Sequence, residues 1–192
     1  MQQVMEQQLS PQELQKLRNN RTGLFVLQVS WILVFVSLIV INLATRVNYP
    51  SWPPPGVSEP PVALPIIATL ALFGSSVLVQ RGYTAFTQGN RRALVRQWTG
   101  TLLLGLLFIA IITYEWLNVP ENAGLYGQLF RLMTAFHAAH ALAIGLFVLR
   151  TLRRVASGAY DQKNFWTVEA TLKLWHFVTL AWTLFFVVLY II

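Results

Sequence analysis

Five long stretches without lysine, arginine, aspartate or glutamate dominate this sequence, and they leave few folds open. They run from Leu24 to Thr45, from Pro60 to Gln80 and on to Phe86, and from Gln97 to Tyr114, ending near Val119. The fourth runs from Leu132 to Leu149. The fifth runs from Leu174 to Ile192 and is entered from about Phe165. A helix of about 20 apolar residues crosses the hydrocarbon core of a bilayer. Lipid offers no hydrogen bonds, so a spanning segment must be a helix or part of a closed barrel. These runs are too long and too uniformly apolar for barrel strands. The expected fold is therefore all-α, a polytopic bundle of five transmembrane helices over about 24–45, 60–86, 97–118, 130–152 and 166–192.

Composition agrees. Only 11% of the 192 residues are charged, against about 25% in soluble domains. There is no cysteine, which excludes disulfides, thiolate metal sites and a cysteine nucleophile. The net charge of +7 does not point to nucleic acid, because the basic clusters lie between apolar runs rather than on a soluble face. Lys16, Arg18 and Arg21 precede the first span. Arg81, Arg91, Arg92 and Arg96 lie between the second and third, and Arg150, Arg153, Arg154 and Lys163 between the fourth and fifth. The opposite loops offer only Arg46 and Arg131. The positive-inside rule then predicts a cytoplasmic N-terminus and a periplasmic C-terminus.

Residues 1–23 read as a cytoplasmic segment with a short surface helix feeding the first span, not as a signal peptide. Ser10-Pro11-Gln12-Glu13 has the form of a capping box. Residues 24–192 form the membrane domain. Asn48–Pro61 holds six prolines, which exclude a helix there. Trp52 and Tyr49 stand where aromatic side chains favour the membrane interface. Small residues let membrane helices approach closely. Ala135, Ala139 and Ala143, with Ala141 and Gly145 beside them, predict that the fourth span is the centre of the bundle.

Ionisable groups within spans need a reason to be there. His137 and His140 are three apart on the fourth span, and His176 lies at a similar depth on the fifth. They read either as interhelical hydrogen-bonding groups or as axial haem ligands, one of the first two opposite His176. A copper or zinc site of three imidazoles is a further reading. No motif assembles a hydrolase nucleophile, and no inverted repeat suggests a transporter. Glu115, beside Trp116, reads as an interfacial carboxylate. Glu169 and Lys173 have the favourable order for an intrahelical pair. Arg21, Arg92, Arg153 and Arg154 are candidate contacts for anionic lipid headgroups.

Several segments resemble one family. Thr134-Ala135-Phe136-His137-Ala138-Ala139-His140, followed by Gly145, is similar to the TGFHGxH…G segment of subunit III of haem–copper oxidases. Glu169-Ala170, then Trp175-His176-Phe177-Val178 and Trp182, resembles that family's FEAxxxYWHFVDxxW segment. Trp52-Pro53-Pro54 and Glu115-Trp116 fall in the same order as its WPP loop and helix end. The chain resembles the last five helices of the seven-helix members, as do the short bacterial subunits. Ala135 and Ala138 replace glycines, Thr179 stands where the family has aspartate, and Trp31 where many members have a membrane glutamate.

The resemblance implies an accessory subunit that carries no redox cofactor or metal of its own. Haem and copper would lie in subunits I and II. The chain would pack directly on subunit I, within a complex containing subunit II and other small subunits. It would hold phospholipid and support turnover and proton uptake in a bacterial cytoplasmic membrane. The histidines then position helices rather than ligate. Two alternatives remain open at this point: the five-helix accessory protein of nitric oxide reductase, and a b-type cytochrome using His137 or His140 with His176.

Overall fold

The computed structural model describes residues 6–7, 9–57, 61–160 and 164–192. Pro60, the expected start of the second span, and Lys163 lie outside them. The described residues form five helices long and apolar enough to cross a membrane. They are α1 (Pro11–Arg46), α2 (Ala63–Thr87), α3 (Arg91–Leu117), α4 (Gly124–Ala156) and α5 (Trp166–Phe186). A single 3₁₀ turn, Glu121–Ala123, precedes α4, and a π turn, Val187–Ile191, continues α5.

Local chemistry sets the ends. The Ser10 hydroxyl accepts from the Glu13 N–H at 3.3 Å, and the Glu13 carboxylate accepts from the Ser10 N–H at 2.8 Å. Two of the N–H groups at the start of the helix are thereby satisfied. From that cap the chain runs without a break to Arg46, because no proline follows Pro11 and the one glycine, Gly23, does not interrupt the hydrogen bonding. The short surface helix expected to feed the first span is continuous with it, as the first turns of α1. At 36 residues the helix is about 54 Å long, well beyond the thickness of a hydrocarbon core. Between α2 and α3 the chain reverses in three residues. Gly89 takes φ +79°, the left-handed value open to glycine, and Asn90 Oδ1 accepts from the Ala93 N–H at 3.0 Å.

Successive helices alternate in direction. The starts of α1, α3 and α5 and the ends of α2 and α4 gather at one end, together with most of the arginines; this is the basic end below. The centre of the bundle is α5. Half of its spanning window is buried (50%), against 33% for α4 and 11% for α1. Trp175, Trp182, Phe185 and Val168 on α5 are all enclosed. This corrects the expectation that the fourth span is central. Ala135, Ala139 and Ala143 are exposed, and only Ala141 of that set is buried. Their spacing gives them a common face, but it is the outward face of α4.

Candidate functional site

α5 presents a polar or aromatic group to a neighbour at nearly every turn. At the basic end Glu169 is buried, at 1% exposure. Its carboxylate accepts from Arg21 of α1 through both oxygens, Nε to Oε1 at 2.9 Å and Nη2 to Oε2 at 2.8 Å. Such bidentate, charge-assisted pairing is strong and directional. Lys173 Nζ lies 2.7 Å from the same carboxylate, the pair expected from the four-residue spacing. Arg21 also bridges to Glu6 at 2.8 Å. Arg21 therefore does not stand free for a lipid headgroup. Its charge is taken by two carboxylates, because the first turns of α1 lie beside α5. Gln28 Nε2 donates to the Lys173 carbonyl at 3.2 Å and extends this contact by two turns.

Further along, α5 is bonded to α2. His176 Nδ1 lies 2.6 Å from Ser76 Oγ, and Nε2 lies 3.1 Å from Gln80 Oε1. A neutral ring satisfies both when Nε2–H donates to the amide oxygen and Nδ1 accepts from the hydroxyl. Trp175 Nε1 donates to Ser75 Oγ at 2.9 Å, and Trp182 Nε1 to Thr69 Oγ1 at 2.8 Å. On the far side of α5, the Thr171 and Thr151 hydroxyls meet at 3.0 Å and join α5 to α4. α2 is held to α3 by Trp98 Nε1 donating to the Val79 carbonyl at 3.0 Å and by the Thr101 hydroxyl on the Ser75 carbonyl at 3.2 Å.

The three histidines do not form one site. His137 is fully enclosed. The rings of Phe108, Trp182, Phe35 and Phe185 surround it at centroid distances of 5.5, 5.3, 6.1 and 6.3 Å. Neither ring nitrogen has a hydrogen-bond partner. The Phe108 ring stands nearly perpendicular to it, at 87°, the arrangement in which an aromatic face meets a ring edge. His140 turns toward α1, with Nδ1–H donating to the Phe136 carbonyl at 2.8 Å and its ring against Trp31 at 5.1 Å. His176 is committed to α2. Among the described residues no three histidine or carboxylate side chains are grouped to hold a metal ion.

The other residues singled out in the sequence are structural neighbours of these seams. Thr134 is buried and donates to the Phe130 carbonyl at 2.7 Å. Gly145 faces the Trp175 ring. Trp52 packs on Tyr126 and Tyr49, at 5.2 and 5.4 Å. Glu115 lies in the last turns of α3, at the end of the span where it was expected, and is buried. Its neighbour Trp116 points away and donates to the Arg131 carbonyl at 3.2 Å. Arg92, Arg153 and Arg154 remain exposed at the basic end, Arg154 over the Tyr160 ring at 6.0 Å. Reading the sequence missed the α2 partners Thr69, Ser75, Ser76 and Gln80. The hydroxyls of Ser75 and Ser76 are what α5 uses, and no local pattern marks them.

A five-helix bundle with WPP, TAFHAAH and WHFV segments on these elements matches one family, Cytochrome c oxidase subunit III, over residues 6–192. The chain belongs to that family. Cytochrome c oxidase subunit 3 of Synechocystis is 30% identical over 174 residues, covering 88% of this chain and 74% of the relative. The lamprey (Petromyzon marinus) subunit is 32% identical over 143 residues, 73% of this chain and 55% of the relative. The Drosophila melanogaster subunit is 28% identical over 178 residues, 88% of this chain and 68% of the relative. The chain thus spans about half the length of its lamprey relative. Family membership makes it a multi-pass membrane subunit of an oxidoreductase complex, subunit III of a haem–copper oxidase.

Proposed function

We propose that the chain is a non-catalytic subunit III of a proton-pumping cytochrome c oxidase in a bacterial cytoplasmic membrane. It packs directly on subunit I, shares the complex with subunit II and smaller subunits, binds phospholipid, and stabilises the catalytic subunit during aerobic respiration. Its N-terminus is cytoplasmic and its C-terminus lies on the opposite side. Haem and copper belong to the partner subunits, and the motif residues of this chain position helices.

The observation that carries this reading is how α4 and α5 hold His137, His176 and Glu169. His176 has both ring nitrogens engaged by α2, and His137 is walled in by four aromatic rings. Glu169 is fully employed by Arg21 and Lys173. His176 and Glu169, already bonded inside the bundle, serve rigidity, and a rigid apolar bundle is suited to support a neighbour.

The test is purification of the native assembly in mild detergent through a tag on this chain, with mass spectrometry of what accompanies it. A haem–copper subunit I and a subunit II are expected in stoichiometric amount. Recovery in an assembly without a haem–copper subunit overturns the reading.

A further inference from the structure

A polar side chain open to the middle of a bilayer is costly, because hydrocarbon offers it no hydrogen bond. His140 is such a group. It stands nine residues from Arg131 and ten from Arg150, at the centre of the stretch of α4 that carries no lysine, arginine or carboxylate. By helix rise it lies about 14 and 15 Å from those two arginines, half the thickness of a hydrocarbon core of about 30 Å. Its side chain is half-buried.

The state of the ring follows from the hydrogen bond it makes. The Phe136 carbonyl can only accept, so the proton sits on Nδ1. An imidazolium here would be a charge in hydrocarbon. The ring is therefore neutral, and Nε2 carries a bare lone pair. Among the described residues nothing donates to it, and it is not enclosed as the nitrogens of His137 are. The indole of Trp31 on α1 stands edge-to-face against this ring, at 5.1 Å and 85°. Its N–H also has no acceptor among the described residues and is not enclosed. One acceptor and one donor thus lie side by side at mid-membrane, both open to the outside of the bundle.

The walls around this pair leave room for a neighbour. α1 and α4 meet here through rings, Trp31 on His140 and Phe35 on Phe136, with little close approach of their backbones. Leu27 and Val34, one turn either side of Trp31, are exposed, as are Ala139 and Ala143 beside His140. The alanines keep the α4 wall low enough for another backbone to come close. A lipid headgroup stays at the interface and its tails carry no donor. A donor at this depth has to be brought by another helix, whose own backbone groups are already paired.

We propose that the seam between α1 and α4 seats a transmembrane helix of a partner subunit, which donates one hydrogen bond to His140 Nε2. The donor is a neutral side chain, a hydroxyl or a carboxamide, since a cation would be as costly at this depth as the imidazolium. Either of these groups also accepts, and so matches the Trp31 N–H. The proposal rests on the reading above that the chain packs on a partner subunit. It adds the seam, the depth and the chemistry of the contact.

The experiment uses the complex purified through this chain. Photoreactive residues placed at Val34 and at Ala143, one on each wall, should capture the same transmembrane segment of a partner subunit. Capture of lipid alone from both positions overturns the proposal, and so does capture of a second copy of this chain. Histidine labelled with nitrogen-15 reads the bond itself. The Nε2 resonance of His140 in the complex should have the shift of a hydrogen-bonded acceptor, and the shift of a free lone pair overturns the proposal. His140→Phe keeps a ring against Trp31 and Phe136 and removes the acceptor. This chain should then leave the complex about fivefold faster in detergent, the effect of one interhelical hydrogen bond in a membrane. An unchanged rate overturns the proposal. If His140→Phe does not assemble, the capture and the nitrogen resonance decide, since both are read on complexes that keep His140. If the captured segment comes from an assembly that holds no haem–copper subunit, the oxidase reading fails and the seam stands.

Discussion

The two seams that α5 makes with α2 and with α1 are held by different physics. Toward α2 it offers three directed hydrogen-bonding side chains, Trp175, His176 and Trp182, each met by a hydroxyl, and the histidine also by an amide. Toward α1 it offers an ionic clasp at the basic end, Glu169 with Arg21, one backbone carbonyl, that of Lys173, to Gln28, and beyond them aromatic packing of Trp31 and Phe35. In lipid there is no hydrophobic force between helices, and packing and polar bonds decide association. The α2 seam therefore fixes register at several depths. The α1 seam fixes it by polar bonds only near the basic end and leaves most of the outer surface of α1 uncovered: Phe25, Leu33 and Val40 are all more than half exposed. One seam builds the core of the bundle. The other attaches a helix whose free face remains for lipid or a neighbouring subunit.

Breaking the clasp is the change with the largest expected effect. Glu169→Ala leaves Arg21 with Glu6 alone and Lys173 without its carboxylate, and loss of such charge-assisted hydrogen bonds costs about 1.5–3 kcal/mol. Denaturant titration of the purified protein measures the loss. Hydrogen exchange should place it in α1, with α2 protected as before. Equal deprotection of α1 and α2 would mean that the two seams are not independent.

Gly105→Ala comes next. The new methyl group would lie 2.8 Å from the fixed Trp175 ring, and overpacking of this kind costs about 1–3 kcal/mol. Gly145→Ala meets the same ring at 3.8 Å, an ordinary contact, and should shift the thermal midpoint far less. His176→Ala removes the link to Ser76 and Gln80. Interhelical hydrogen bonds in membranes average about 0.6 kcal/mol and reach about 1.7, so a loss of about 1 kcal/mol is expected in the same titration. The smallest change is Ser10→Ala, at about 0.5 kcal/mol for an exposed cap. It should appear as faster exchange confined to the first turn of α1.

Much of this arrangement was legible in the residues. Long apolar runs give the helices because lipid forbids unpaired backbone. The Ser10–Glu13 box and the Glu169–Lys173 pair are readable because their partners are three or four residues apart. Arg21 and Glu169 are 148 residues apart, and no local pattern joins them. Reading Arg21 as a headgroup ligand followed from counting its charge without knowing its neighbour. The same limit explains the misplaced centre. A stripe of alanines states that a face is smooth, but which helix lies against it depends on how all five pack. The histidines were visible as unusual. Their separate fates, enclosed at His137, self-bonded at His140 and cross-linked at His176, are set by which neighbour each side of its helix meets.

The most direct test of a supporting role without a cofactor is the haem content of the intact complex carrying His176→Ala. Haem per subunit I should equal that of the wild type, with less of this chain retained after detergent washing. Loss of one haem per complex, with full retention of the chain, would contradict it.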